Sequence, residues 1–160
     1  MQRLIYILLL SVFVYSARSQ CVGPQTYTLN PGGPYSPGQV VTVNYTLSSF
    51  TQVNVNWIIA FDINLGAGWT NLTPLSNPGN PNTNDWQGTG YWQWDTQHTF
   101  PSSLNFGPGW RFINTAGVNS DWGSSSTGPF LMSFQVTVGS SCTPQDLSIG
   151  MSVIGDCQTG

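Results

Sequence analysis

The sequence contains no lysine and no glutamate. Its three basic residues are Arg3, Arg18 and Arg111, its six acids are all aspartate, and it has one histidine, His98. Charged residues make up 6% of the chain, against about 25% in ordinary domains. So little positive charge excludes a nucleic-acid binder, which needs a basic face against phosphates. Without Glu and Lys, long amphipathic helices lack the residues that normally build their wet faces. No window after the first 19 residues carries a 3.6-residue apolar period. One histidine is too few for a typical zinc site, no Gly-x-Ser-x-Gly elbow occurs, and no cofactor is expected. Disorder is also excluded, because 39% hydrophobic and 13% aromatic residues give ample surface to bury.

The N-terminus reads as a secretory signal over residues 1–19. Arg3 supplies the positive end, residues 4–15 are apolar or aromatic apart from Ser11, and Ala17-Arg18-Ser19 puts small residues at the cleavage positions. Twelve such residues are too few for a membrane span of about 20. A lipid-modified Cys21 is disfavoured because Gln20 precedes it where a small residue is wanted. Cleavage before Gln20 leaves residues 20–160 as one β-sandwich domain and removes Arg3 and Arg18, so the net charge moves from −3 to −5. No membrane insertion is expected after cleavage. Export makes disulfides plausible for Cys21, Cys142 and Cys157. A straight strand between Cys142 and Cys157 would hold them too far apart to bridge. Cys21–Cys142 is the preferred pair, which leaves Cys157 over and suggests that the chain is the N-terminal fragment of a longer protein.

The dominant period is two. Val41, Val43, Tyr45 and Leu47 alternate with Thr42, Asn44 and Thr46. Val53, Val55, Trp57, Ile59, Phe61, Ile63 and Leu65 form an apolar row at odd positions. Phe130, Met132, Phe134, Val136 and Val138 form another at even positions, and Leu147, Ile149, Met151 and Val153 a fourth. Weaker strands are expected over 25–29, 90–95 and 109–114. Pro-Gly and Gly-rich turns separate these runs. Residues 73–89, rich in Asn, Pro and Gly, read as a long surface loop. Short strands with one polar face imply an all-β fold of two antiparallel sheets packed face to face, immunoglobulin-like or jelly-roll.

The order of several motifs points to a family. Tyr35-Ser36-Pro37-Gly38 is followed by Val43-Asn44-Tyr45, Asn56-Trp57-Ile58-Ile59-Ala60-Phe61-Asp62 and Leu65-Gly66-Ala67-Gly68-Trp69. Gly107-Pro108-Gly109-Trp110-Arg111-Phe112, Asp121-Trp122-Gly123 and Phe134-Gln135-Val136-Thr137-Val138 come later. This series resembles the N-terminal β-sandwich regions of large secreted surface proteins of Bacteroidetes, which carry a gliding-motility-associated C-terminal domain for type IX secretion. The resemblance implies a cell-surface location and a sandwich architecture rather than a reaction.

The chemical candidates are few. Trp86, Tyr91, Trp92 and Trp94 cluster beside the long loop and could stack on sugar rings. On a strand, however, Trp92 and Trp94 share one face, and packing of that face in the core is the favoured reading. Trp57 is expected in the core, while Trp69, Trp110 and Trp122 are expected to cap the ends of the sandwich. A glycosidase would need two carboxylates about 5–9 Å apart, and nothing in the spacing of Asp62, Asp85, Asp95 and Asp121 brings two together. Asp62-Ile63-Asn64 and Asn82-Thr83-Asn84-Asp85 offer oxygens for calcium but lack the EF-hand pattern, so polar turns are expected. His98 reads as a solvent-facing loop residue and Arg111 as half of a structural ion pair. The reading is a non-enzymatic extracellular module with an adhesive or structural role and no metal, whose partners are extracellular polysaccharide or surface proteins. The alternative is a carbohydrate-binding module.

Overall fold

The computed structural model describes residues 22–51, 57–78, 90–99, 105–115, 123–124, 126–140 and 143–156. The expected signal segment, Trp86, Trp122, Asp85, Asp121 and all three cysteines lie outside the described residues, as does the Cys21–Cys142 pairing. Ten strands are described: β1 (Gln25–Asn30), β2 (Val40–Leu47), β3 (Ile58–Leu65), β4 (Trp69–Ser76), β5 (Gly90–Asp95), β6 (His98–Thr99), β7 (Asn105–Phe106), β8 (Gly109–Asn114), β9 (Phe130–Val138) and β10 (Ile149–Gly155).

They form two four-stranded antiparallel sheets, β1-β2-β9-β4 and β10-β3-β8-β5, and a small β6-β7 hairpin. The fold is therefore the expected two-sheet β-sandwich. Strands β2 and β3 pair with β9 and β8 in nested order. That winding fits a jelly roll rather than the ABED/CFG order of an immunoglobulin domain.

Period-two patterning builds the interior. In β2, Val41, Val43, Tyr45 and Leu47 are buried, and in β9 so are Phe130, Met132, Phe134, Val136 and Val138. From the second sheet Phe61, Trp92, Trp110 and Phe112 meet them. Phe61 lies 5.4 Å from Phe130 and 6.1 Å from Tyr45, ring centre to ring centre. Such tilted aromatic pairs contribute about 0.5–1.5 kcal/mol beyond burial. The turn into β2 has the matching local chemistry. Gln39 N–H donates to Ser36 O at 3.0 Å, Pro37 takes the second position, and Gly38 at φ 80° takes the left-handed third position of a type II turn.

Four expectations need correction. The odd apolar row of β3 does not continue unbroken: Ile58 enters the main core, while Ile59 joins Ala60 in a separate cluster closed by Phe106 and Ile154. The cause is a register shift in which Ile154 pairs with Ala60 but Gly155 with Ile58. One extra β3 residue there flips the alternation. Residues 73–76, expected in a loop, complete β4, with Asn71 at φ 53° and register shifts taking up the irregularity. Leu147, expected to open the fourth row, instead ends a 3-10 helix over Pro144–Leu147, and β10 begins at Ile149. Asp146 accepts there from the backbone N–H of Thr143 at 2.8 Å. Finally, Trp69 and Trp110 do not cap the ends; they are core residues at 6% and 1% exposure.

Candidate functional site

The aromatic candidates divide by strand parity. Among the described strands, β5 closes one edge of the second sheet and pairs with β8 alone. Trp92 points inward and is 4% exposed, with ring centres of Phe61, Phe112 and Phe130 at 5.1, 5.4 and 6.0 Å. Trp94 is half-buried, edge-on to Trp110 at 5.0 Å. Tyr91 faces the other way and is 49% exposed, beside exposed Gln93. Asn77, just after β4, laces this region together. Its side-chain amide donates to Trp92 O, and its Oδ1 accepts from Trp110 Nε1, both at 3.1 Å. Trp92 is thus a core residue, and Tyr91 is the aromatic of the predicted four, among the described residues, that presents its ring to solvent.

The sheet register creates a second constellation on the outer face. Asp62 on β3 and Asp95 on β5 both pair with Gly109 of β8, so the two carboxylates share a row two strand spacings, about 10 Å, apart. Gly109 has no side chain because none fits: a Cβ there would come within 1.9 Å of Phe61 O. The next row along β8 places Arg111 opposite Ala60 and Gln93. Arg111 Nε lies 3.3 Å from Asp95 Oδ2, and His98 Nδ1 lies 3.5 Å from the same oxygen. Arg111 Nη1 is 3.3 Å from His98 Nε2. A guanidinium only donates, so Nε2 accepts and the ring proton sits on Nδ1, facing Asp95.

The β6-β7 hairpin folds over this face. Phe106 covers Ala60, and the backbone N–H of Gly107 donates to Asp62. A shallow recess remains, lined by Asp95, His98, Phe106 and Arg111. His98 is therefore a partly buried strand residue, with its side chain 21% exposed, rather than a solvent-facing loop residue. Arg111 does form the expected ion pair. Asp62 and Asn64 lie on a strand instead of a polar turn, and Asn64 donates to Ser152 Oγ at 2.9 Å. Among the described residues no group of three or more His, Cys or Asp could hold a metal ion.

Burial raises the pKa of Asp62 above the usual aspartate value, and the Gly107 N–H partly opposes the shift. The folded state therefore holds that proton more tightly than the unfolded chain does. Its contribution to stability is full below the ordinary aspartate pKa and is lost as pH rises through the folded value. Asp62→Asn is expected to stabilise the domain slightly at neutral pH. In urea titrations the advantage should shrink as pH falls into the aspartate range; an advantage that grew with acid would reverse the assignment.

Sequence reasoning missed Asp156, which is 7% exposed. Its Oδ1 accepts from Trp57 N–H and its Oδ2 from Gly123 N–H, both at 3.1 Å. Its own N–H donates to Trp57 O at 2.8 Å. The local sequence, Gly155-Asp156-Cys157, carries turn-type residues and no pattern that marks a buried carboxylate. No family model, curated protein or solved structure matches this chain.

Proposed function

We propose that the chain is a non-enzymatic β-sandwich module of a secreted cell-surface protein, with an adhesive or structural role. The observation that carries this reading is how the outer-face charges are used. Asp95 on β5 is held by Arg111 of β8 and by His98 of β6, so these side chains tie the β6-β7 hairpin to the sheet. Export is supported by Arg3, the apolar stretch over 4–15 and Ala17-Arg18-Ser19. The resemblance to Bacteroidetes surface proteins adds type IX secretion to the proposal. Extracellular polysaccharide or surface proteins are the partners the reading calls for.

The exported chain is expected to hydrolyse no member of a polysaccharide and ester panel, and cells displaying it are expected to adhere to coated surfaces. Hydrolysis that disappears in Asp62→Asn or Asp95→Asn would overturn the reading. A second reading, sugar binding by aromatic side chains, is favoured by Tyr91, whose exposed ring lies beside Gln93. Glycan binding that Tyr91→Ala removes while the fold persists would establish it.

A further inference from the structure

The outer face of the first sheet is a lattice of uncharged polar side chains. One row, Asn30–Thr42–Gln135–Thr73, crosses all four strands. The next, Thr28–Asn44–Ser133–Ser76, does the same. Neighbouring rows are about 7 Å apart along the strands, and neighbouring side chains within a row about 4.8 Å apart. Strands β1, β2, β4 and β9 contain no Asp, Arg or His. The charged side chains described all lie elsewhere, on the second sheet, the β6-β7 hairpin, the 3-10 helix or the end of β10.

We propose that this face binds a neutral polysaccharide chain, an inference that rests on the adhesive reading above and names its ligand class. Charge selects the occupant. An anionic polymer would find no cation on the face, and a cationic one no carboxylate, whereas hydroxyl and amide groups match the donors and acceptors of a neutral sugar polymer. A protein partner would call for aromatic or Arg anchors at the centre of the patch. Here the exposed apolar side chains are Val40, Leu75 and Leu131, and the centre is polar.

The lattice is also partly set in advance. Ser76 Oγ and Ser133 Oγ are 2.8 Å apart, Gln135 Nε2 donates to Thr42 Oγ1 at 3.3 Å, and Thr70 Oγ1 donates to Thr137 O at 3.2 Å. Thr is stiff at its first side-chain torsion, so docking freezes little further motion.

The test is retention of the full exported chain on insoluble cellulose, chitin and β-1,3-glucan, with alginate as the acidic comparison. Retention on at least one neutral polymer is expected. It should be insensitive to added salt, because no charged contact is made. Thr28 and Asn44 are both exposed, so the double variant Thr28→Glu/Asn44→Asp should fold. It is expected to weaken retention at least about tenfold, while Gln97→Glu, which lies off this face, leaves it unchanged. Circular dichroism confirms each fold, and Asn44→Ala/Ser133→Ala, which adds no charge, should also weaken retention. Retention unaffected by both double variants, or removed only by Tyr91→Ala, would overturn the assignment of this face. Absence of retention on every neutral polymer would overturn it too. If cells displaying the chain still adhere, the adhesive reading survives; if they do not, it falls with the face.

Discussion

Replacing Trp92 with alanine should destabilise the domain by about 3–5 kcal/mol, the usual range for removing a buried aromatic side chain from a packed core. Small domains have about 5–15 kcal/mol in total, so the variant should sit near the edge of folding. The magnitude follows from position. Trp92 bridges the two sheets, with Phe61 and Phe112 on its own side and Phe130 opposite, and no neighbouring side chain can collapse far enough to fill an indole-sized void. Trp92→Phe keeps most of the contact and should cost much less. Urea unfolding with tryptophan fluorescence measures both. A loss below about 1 kcal/mol for the alanine variant would mean that the ring is not part of the core. A consequence follows for binding assays: sugar binding lost in Trp92→Ala reports unfolding, whereas Tyr91→Ala removes an exposed ring and reports on the surface.

Asp156→Ala should cost about 2–4 kcal/mol. The substitution strands two backbone donors, Trp57 N–H and Gly123 N–H, in a buried setting, and each unsatisfied donor costs about 1–3 kcal/mol. The carboxylate ties the end of β10 to the entry of β3 and to residue 123, three segments far apart in sequence. Asp156→Asn retains one acceptor oxygen but turns the other towards an N–H as a donor, so it should recover only part of the loss. The ordering Asp156, then Asn, then Ala in urea midpoint tests this account. Equal stability of all three would show that the carboxylate is dispensable.

Much of the sandwich was legible in the sequence. The alternation in β2 and β9 translates directly into which residues are buried, because a strand between two neighbours in one sheet has one wet face and one dry one. β5 and β8 match the strands expected over 90–95 and 109–114, and each opens on a glycine. What escaped prediction depends on pairing between distant segments. The bulge at Ile154 and Gly155 decides that Ile58, and not Ile59, enters the main core, and no local pattern in β3 carries that information. Asp62 and Asp95 are 33 positions apart in the sequence, and only the shared partner Gly109 puts them in one row. His98 looked like a lone loop histidine because its partners, Asp95 and Arg111, come from two different strands. Trp69 and Trp110 read as end caps because each follows a glycine, but Gly68 precedes β4 and Gly109 opens β8, and the indole fills the first inward position of each strand. The Thr, Asn, Ser and Gln residues of the first sheet read as generic polar positions until the register aligned them into rows.

The measurement that tests the central claim most directly is where the chain resides and where it begins. Cells expressing the intact gene would be treated with protease from outside, fractionated, and the N-terminus of the chain sequenced. A chain on the outer surface, open to protease and beginning at Gln20, is the predicted result. A chain kept in the cytoplasm with residues 1–19 intact would contradict it.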